Sequence, residues 1–393
     1  MPDSIDMTFM TTSSFLSNTI ADSCDLICFS HLRWDFVFQR PQHLMTRFAR
    51  DRRVFFIEEP LFGDDGPRLE VSKCENGLHV VTAHLPHNTD VDAVMPGLID
   101  NLKDENQIKD CIAWFYTPMM FEWRDGLRPK CIVYDCMDEL SMFKNAPPQL
   151  IEREQQLFQL ADLVFTGGQS LYEAKRPKHP AVHGFPSSID VKHFERALNI
   201  ENEPQDQQAI PHPRIGFCGV IDERTDIDLL VQIAGLRPEW QFVMLGPVVK
   251  IDECDLPRRT NIHYLGGKRY ADLPAYLSGW DVAMMPFAMN DSTRFISPTK
   301  TPEYLAAGLP VVSTPIRDVV RPYGEKGLVH IAATPEEFVT AIEQARSEDC
   351  DKRHAKAAEF LSTISWDKTQ KEMEQLIDEV IERRSEQSAA VSV

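Results

Sequence analysis

The sequence predicts an α/β protein of two doubly wound, Rossmann-like domains facing a cleft, and three observations predict it. Short apolar runs, several β-branched or aromatic and free of polar alternation, read as strands buried on both faces of a parallel sheet. Helix-like stretches separate them. The alternation occurs twice, on either side of a polar stretch over 195–213 that contains three Pro and has no periodicity.

Taken in order, residues 1–24 hold Asp3, Asp6 and Asp22 but no Lys or Arg, so a flexible tail is expected there and not a secretory leader. A first domain is expected over 25–195, with strands at Asp25–Ser30, Val54–Glu58, Leu78–Leu85, Cys111–Tyr116, Cys131–Tyr134 and Asp162–Thr166. Pro41 suits the first turn of a helix whose Leu44, Met45 and Phe48 share a face. Residues 196–213 read as a linker. A second domain follows over 214–365, with strands at Arg214–Val220, Gln241–Leu245, Asn261–Leu265, Asp281–Phe287, Pro310–Ser313 and Leu328–Ile331. Ligands of such sheets sit beyond the carboxyl ends of the strands.

Composition excludes several classes. The 393 residues carry 41 Lys+Arg against 60 Asp+Glu, a net −19. The charge is shared as −10 over residues 1–195 (19 against 29) and −9 over the rest (22 against 31). A nucleic-acid partner would need a basic face. The local exception is His31–Arg53, where six Arg face two Asp; this strip is the candidate for contact with a lipid phosphate or a membrane. No apolar run is long enough to span a bilayer, and nine Cys without a CxxC read as reduced thiols. Cys131 with Cys136 makes a poor metal site, and the Asp-x-Asp pairs Asp90/Asp92 and Asp226/Asp228 are too short a motif to define one.

The richest stretch is NDSTRFISPTKTPEYLAAGLPVVST, residues 290–314. Hydroxyls and cations precede a short helix, capped by Ser297 with Pro298 or by Thr301 with Pro302, and closed by Gly308 and Pro310. Lys300, Ser297, Thr299 and free backbone N–H groups suit a diphosphate, and Glu303 suits the vicinal hydroxyls of a ribose. In the first domain, Trp34 offers a face for a sugar, and Asp35, Gln39 and Arg40 offer partners for hydroxyls or phosphate. Asp135, Asp138 and Glu139 end a strand on the cleft side, either as a base or as helix caps.

KTPEYLAAGLPVVST resembles the sugar-nucleotide segment of GT-B glycosyltransferases of the group-1/family-4 type. RIGFCGVIDERTDIDLL, VMLGP, NIHYLGGKRYADLPAYLSGWDVAMMPF, GFPSSIDVKHF and SWDKTQKEMEQLI resemble further parts of that family. SHLRWDFVFQRPQHLMTRFA, WFYTPMMFEW and IVYDCMDEL are similar to bacterial polysaccharide glycosyltransferases of the teichuronic-acid type. The resemblance implies a helix at about 366–385 that returns to the first domain. It also implies a retaining, metal-independent transfer from a nucleotide-diphosphate sugar, UDP- or GDP-linked, to a glycan or lipid-linked acceptor, with no cofactor, in the cytoplasm or at the inner membrane face. Arg224 and Lys300 become the clamps on the leaving diphosphate, with Asp138 beside them. Gly219, Gly246, Leu265, Ser297, Thr299, Lys300 and Glu303 become the nucleotide-sugar contacts. Two departures stand out. Phe295 occupies the place of a family Glu eight positions before Glu303, leaving Asn290, Thr293 or backbone N–H groups as substitutes. Tyr116-Thr117-Pro118 lacks the family His. A sugar-nucleotide epimerase and a non-catalytic sugar-nucleotide-binding module are the alternatives; a nicotinamide dehydrogenase is disfavoured for want of GxGxxG after a strand.

Overall fold

The computed structural model describes residues 24–391; the tail expected over 1–24 lies, but for Cys24, outside the described residues. The first sheet has eight strands: β1 (Asp25–Phe29), β2 (Val54–Gly63), β3 (Arg68–Lys73), β4 (Leu78–Pro86), β5 (Cys111–Phe115), β6 (Cys131–Cys136), β7 (Leu163–Thr166) and β8 (Val182–Gly184). Their order is β3-β4-β2-β1-β5-β6-β7-β8, parallel except for the antiparallel β3–β4 pair. The second sheet has six parallel strands: β9 (Arg214–Cys218), β10 (Gln241–Leu245), β11 (Ile262–Gly266), β12 (Val282–Met285), β13 (Val311–Ser313) and β14 (His330–Ile331). Their order is β11-β10-β9-β12-β13-β14.

The expected strands all form. Every residue of β1, β5, β6, β9 and β12 is buried, which is why they read as unbroken apolar runs. Sequence reasoning missed β3 and β8. The first is an almost wholly exposed edge strand, RLEVSK, and the second has three residues.

The stretch expected as a linker over 196–213 is packed against the second domain. Ala197 and Ile210 join its core beside Phe194 and Ile189. The buried amide of Gln207 donates to the Tyr276 carbonyl at 3.0 Å and accepts from the Trp280 indole N–H at 3.0 Å. Its polar composition serves buried backbone and indole groups as well as solvent. The chain returns through the helix Trp366–Val391, whose Trp366, Met373, Ile377 and Val380 enter the first-domain core beside Leu44, Met45 and Phe48. Among the described residues no helix is long and apolar enough to cross a membrane.

The Arg-rich strip is not an open basic patch. Each of its six guanidinium groups has a carboxylate partner: Arg33 with Glu58, Arg40 with Asp135, Arg47 and Arg50 with Asp367, Arg52 with Glu374, and Arg53 with Asp25. Three of them tie the helix Arg40–Phe48 and the turn after it to the C-terminal helix. Arg40, expected as an acceptor contact, reaches the cleft but is also engaged within the fold. Its guanidinium is 3% exposed, bonded to both Asp135 oxygens at 2.9–3.1 Å and to the Phe185 carbonyl at 2.7 Å. These bonds tie the guanidinium into the fold. Replacing Arg40 by Met strands a carboxylate that is fully buried. It should cost about 3–5 kcal/mol of stability, read by chemical denaturation, against at most ~1 kcal/mol for Arg50→Met at the exposed pair.

Candidate functional site

The carboxyl ends of both sheets face each other, and two adjoining cavities of about 460 and 150 Å³ lie between them. They share Val37 and Phe38 from the first domain and Cys218–Val220 and Lys300 from the second. The larger is walled by Trp34 and Asp35 on one side and by Leu245–Pro247 and Gly267–Tyr270 on the other. The smaller holds Gln39, Met137, Asp138, Arg224 and Ile296–Thr299.

The shared wall is built by the KTPEYLAAG segment. Its helix runs Lys300–Ala306 and starts at neither expected cap. Ser297 gives its carbonyl to the Ser187 hydroxyl across the domain interface at 2.6 Å, and the Thr301 hydroxyl turns inward to Met285 Sδ at 3.5 Å. Lys300 and Glu303 form a buried ion pair at 2.6 Å. Burial works against the Lys300 charge, but the Glu303 carboxylate outweighs it and the ammonium pKa rises. Behind them, the buried Tyr304 hydroxyl accepts from the Cys218 N–H at 2.7 Å and so fixes the end of β9. Beside it, Gly246 has φ +144°, and a Cβ there would lie 1.8 Å from the Gly219 carbonyl oxygen, so only Gly lets the two strand ends approach.

Three carboxylates end or follow β6, and the structure separates them. Asp135 is bound to Arg40, and Glu139 pairs with the fully buried Lys175 at 2.8 Å. Asp138 alone faces the smaller cavity. Burial pushes its carboxyl up to about 6, against the opposing charges of Arg224 and Arg40. Arg224, on the same cavity, is bidentate to Asp222 at 2.7–3.1 Å and stacks over Phe143 of the first domain at 5.4 Å.

The expected site residues therefore divide. Gly219, Lys300, Ser297, Thr299, Arg224, Asp138, Gln39 and Arg40 gather at the smaller cavity. Gly246, Trp34 and Asp35 gather at the larger one, which puts Trp34 and Asp35 opposite Gly246 and apart from Asp138. Glu303 lies behind the wall, engaged with Lys300, and Leu265 is half-buried against the second-domain core. Asn290 and Thr293 are spent on each other in a capping box, with Thr293 also bonded to the Ala288 carbonyl. Phe295, in place of the family Glu, packs against the first-domain core. Asp90 and Asp226 cap helices, and Asp92 binds Arg153 and the Trp123 indole.

Sequence reasoning missed Phe38 and Tyr270, whose rings stack at 4.3 Å across the cleft. His193 stacks on Tyr270 at 4.2 Å, and His43 stacks on Trp366 at 4.6 Å, extending the contact through both domains. Nothing local marks these residues as partners, because they come from separate domains.

Residues 212–348 match the family model for glycosyl transferases group 1. A protein of Bacillus subtilis (strain 168), named as a teichuronic acid biosynthesis glycosyltransferase, is 23% identical over 233 residues. That match covers 52% of this chain and 55% of the relative, so it spans about half the length of each. Among solved structures, a sucrose-phosphate synthase from Thermosynechococcus elongatus superposes with TM-score 0.69 at 13% identity, covering 92% of this chain and all of that one. An E. coli chain described as trehalose-6-phosphate and bound with UDP-2-fluoro glucose superposes with TM-score 0.65 at 13% identity, covering 90% of this chain and 99% of that one.

The Asp138 environment has a direct test. Its folded-state pKa lies above the ordinary 3.8, so the fold favours the protonated form, and stability falls as pH rises from about 4 to about 6. Asp138→Asn removes that penalty. The variant should gain melting temperature over the wild type at pH 8 and little at pH 4, by calorimetry at both.

Proposed function

We propose that this chain, a GT-B protein whose second domain is a group 1 glycosyltransferase domain, moves a sugar from a nucleotide-diphosphate sugar to an acceptor hydroxyl with retention, in the synthesis of a bacterial surface polysaccharide. The observation that carries the reading is the pair of cavities joined at Cys218–Val220 and Lys300. The larger has the size and the backbone-lined wall for a nucleoside. The junction, with Lys300 and the backbone of Gly219, takes the diphosphate. The smaller, with Asp138 and Arg224, takes the transferred sugar and the attacking hydroxyl.

The transition state resembles an oxocarbenium ion departing from a diphosphate. What the protein must supply is fixed positive charge where negative charge grows on the leaving oxygens. Lys300 and Arg224, which both line the smaller cavity and are each held by a carboxylate, are the groups that would supply it. The leaving phosphate itself takes the acceptor proton in a front-face attack, so no second carboxylate is needed opposite Asp138. The donor is UDP- or GDP-linked. A uridine donor accords with the structural relative that was bound to UDP-2-fluoro glucose. The acceptor is glycan or lipid-linked, and the half-length match to the teichuronic acid relative favours a cell-surface product. Metal independence is part of the same proposal.

Lys300→Ala should weaken UDP or GDP binding by about 2–5 kcal/mol in calorimetry, with circular dichroism unchanged. Unchanged affinity would exclude Lys300 from the diphosphate site. Incubated with donor and a polysaccharide-repeat acceptor, the protein should release nucleoside diphosphate and form a product of unchanged anomeric configuration by NMR. An inverted product would overturn retention. A new sugar isomer formed from donor alone would identify an epimerase instead.

A further inference from the structure

A third cavity, of about 230 Å³, lies behind the smaller of the two cleft cavities. The Ser187–Ser297 hydrogen bond forms part of the partition, since both residues line both spaces. Its walls are the two stretches by which the chain crosses between domains, 184–188 on the way out and 360–369 on the way back, together with residues 318–323 of the second domain. None of the residues that bear the proposed transfer is needed to build it apart from Ser297.

The polar groups in this cavity are incompletely satisfied. Ser188 is 3% exposed, and its hydroxyl has no hydrogen-bond partner. One terminal nitrogen of Arg321, Nη2, is buried and equally without a partner, while Nη1 stands 3.6 Å from Glu173. Buried donors left unpaired cost stability unless something fills them. Asp318, Glu372 and Lys368 line the same space; both Asp318 oxygens also accept from the Ser170 N–H at 3.0–3.2 Å, and Lys368 Nζ donates to the Thr363 carbonyl at 3.1 Å. The lining thus holds two cations and two anions. Such a balance disfavours a phosphate or a carboxylate, which would bring net charge against Asp318 and Glu372. It favours a neutral molecule whose hydroxyls both donate and accept. Tyr323 and Phe360, with ring centroids 5.2 Å apart, add an apolar side. The volume equals that of about eight waters at ~30 Å³ each, enough for one sugar ring and too small for a nucleotide.

We infer that this interdomain cavity is a binding site for a single neutral sugar residue, separate from the catalytic cleft. Its hydroxyls accept from Arg321 and Ser188 and donate to Asp318 and Glu372, and its C–H face lies against Tyr323 and Phe360. A ligand here touches both chain crossings at once, so its occupancy bears on the relative placement of the two domains.

The experiment uses the full-length protein with D-glucose, D-galactose and N-acetylglucosamine as probes, read by saturation-transfer NMR and by amide hydrogen exchange. At least one sugar should bind, with exchange slowed over 184–188 and 360–369. Arg321→Met should weaken that binding about tenfold, as expected for losing one charge-assisted bond, while Trp34→Ala in the cleft leaves it unchanged. Ser188→Val, which fills the same corner without a donor, provides a second variant should Arg321→Met fail to fold; it must also weaken binding. The inference is overturned if no sugar of the three binds, if inorganic phosphate slows exchange at these crossings and the sugars do not, or if Trp34→Ala and not the Arg321 variant abolishes the signal.

Discussion

The guanidinium of Arg40 is the contact on which the geometry of the cleft depends. It stands at the start of the helix that follows β1, and it is bonded at once to Asp135 on β6 and to the Phe185 carbonyl, where the chain begins its crossing to the second domain. Removing a guanidinium and a carboxylate from water is costly, and only multiple well-aligned bonds offset it. These bonds hold the start of that helix, and the loop before it is held in turn by the Trp34 N–H on Glu58 and by the Gln42 amide on the Trp34 carbonyl. The loop then delivers Trp34 to the larger cavity and Phe38 to the stack with Tyr270. On the helix's far side, Arg47, with Arg50 and Arg52 just beyond it, binds the C-terminal helix, so the returning segment is tied to the same element.

The strands were legible wherever burial is two-sided, because a strand covered on both faces must be apolar throughout. The exposed edge strand β3 obeys no such rule, and its sequence is that of a solvated loop. The linker misled for a related reason. Polarity reports contact with water only when buried backbone does not need the same groups, and Gln207 shows that it can. Charge was the least legible feature. The strip over 33–53 sums to +4 along the chain, yet carboxylates outside it pair with all six of its arginines, Asp367 and Glu374 from more than 300 residues away. A sum over a segment cannot contain its partners in space.

In the site, the segment that begins at Lys300 was found from its residues because it is local: the strand, the loop and the helix are contiguous. Its detail was not. Glu303 has the residue type to hold a ribose, but a four-carbon ammonium three positions earlier on the same helix reaches it first. Phe295 likewise makes sense only in three dimensions, where the place of a family carboxylate is used for apolar contact with the other domain.

Lys300 and Arg224 share a property that bears on turnover. Lys300 is already paired with Glu303, and Arg224 with Asp222. On the proposed assignment, an arriving diphosphate would meet these two dipolar pairs, and its binding would be an exchange of partners in place of the neutralisation of bare charge. That lowers affinity relative to two free cations, but it also keeps the empty site from holding uncompensated buried charge. The advantage lies in the transition state. In the proposed transfer the bridging oxygen gains negative charge as the glycosyl–phosphate bond breaks, and cations held by fixed carboxylates would need little rearrangement to strengthen their contact with it. On the same proposal, Glu303 and Asp222 would take back their partners once the product nucleotide leaves. Such an arrangement would place the gain where charge develops and limit how tightly the spent nucleotide is held.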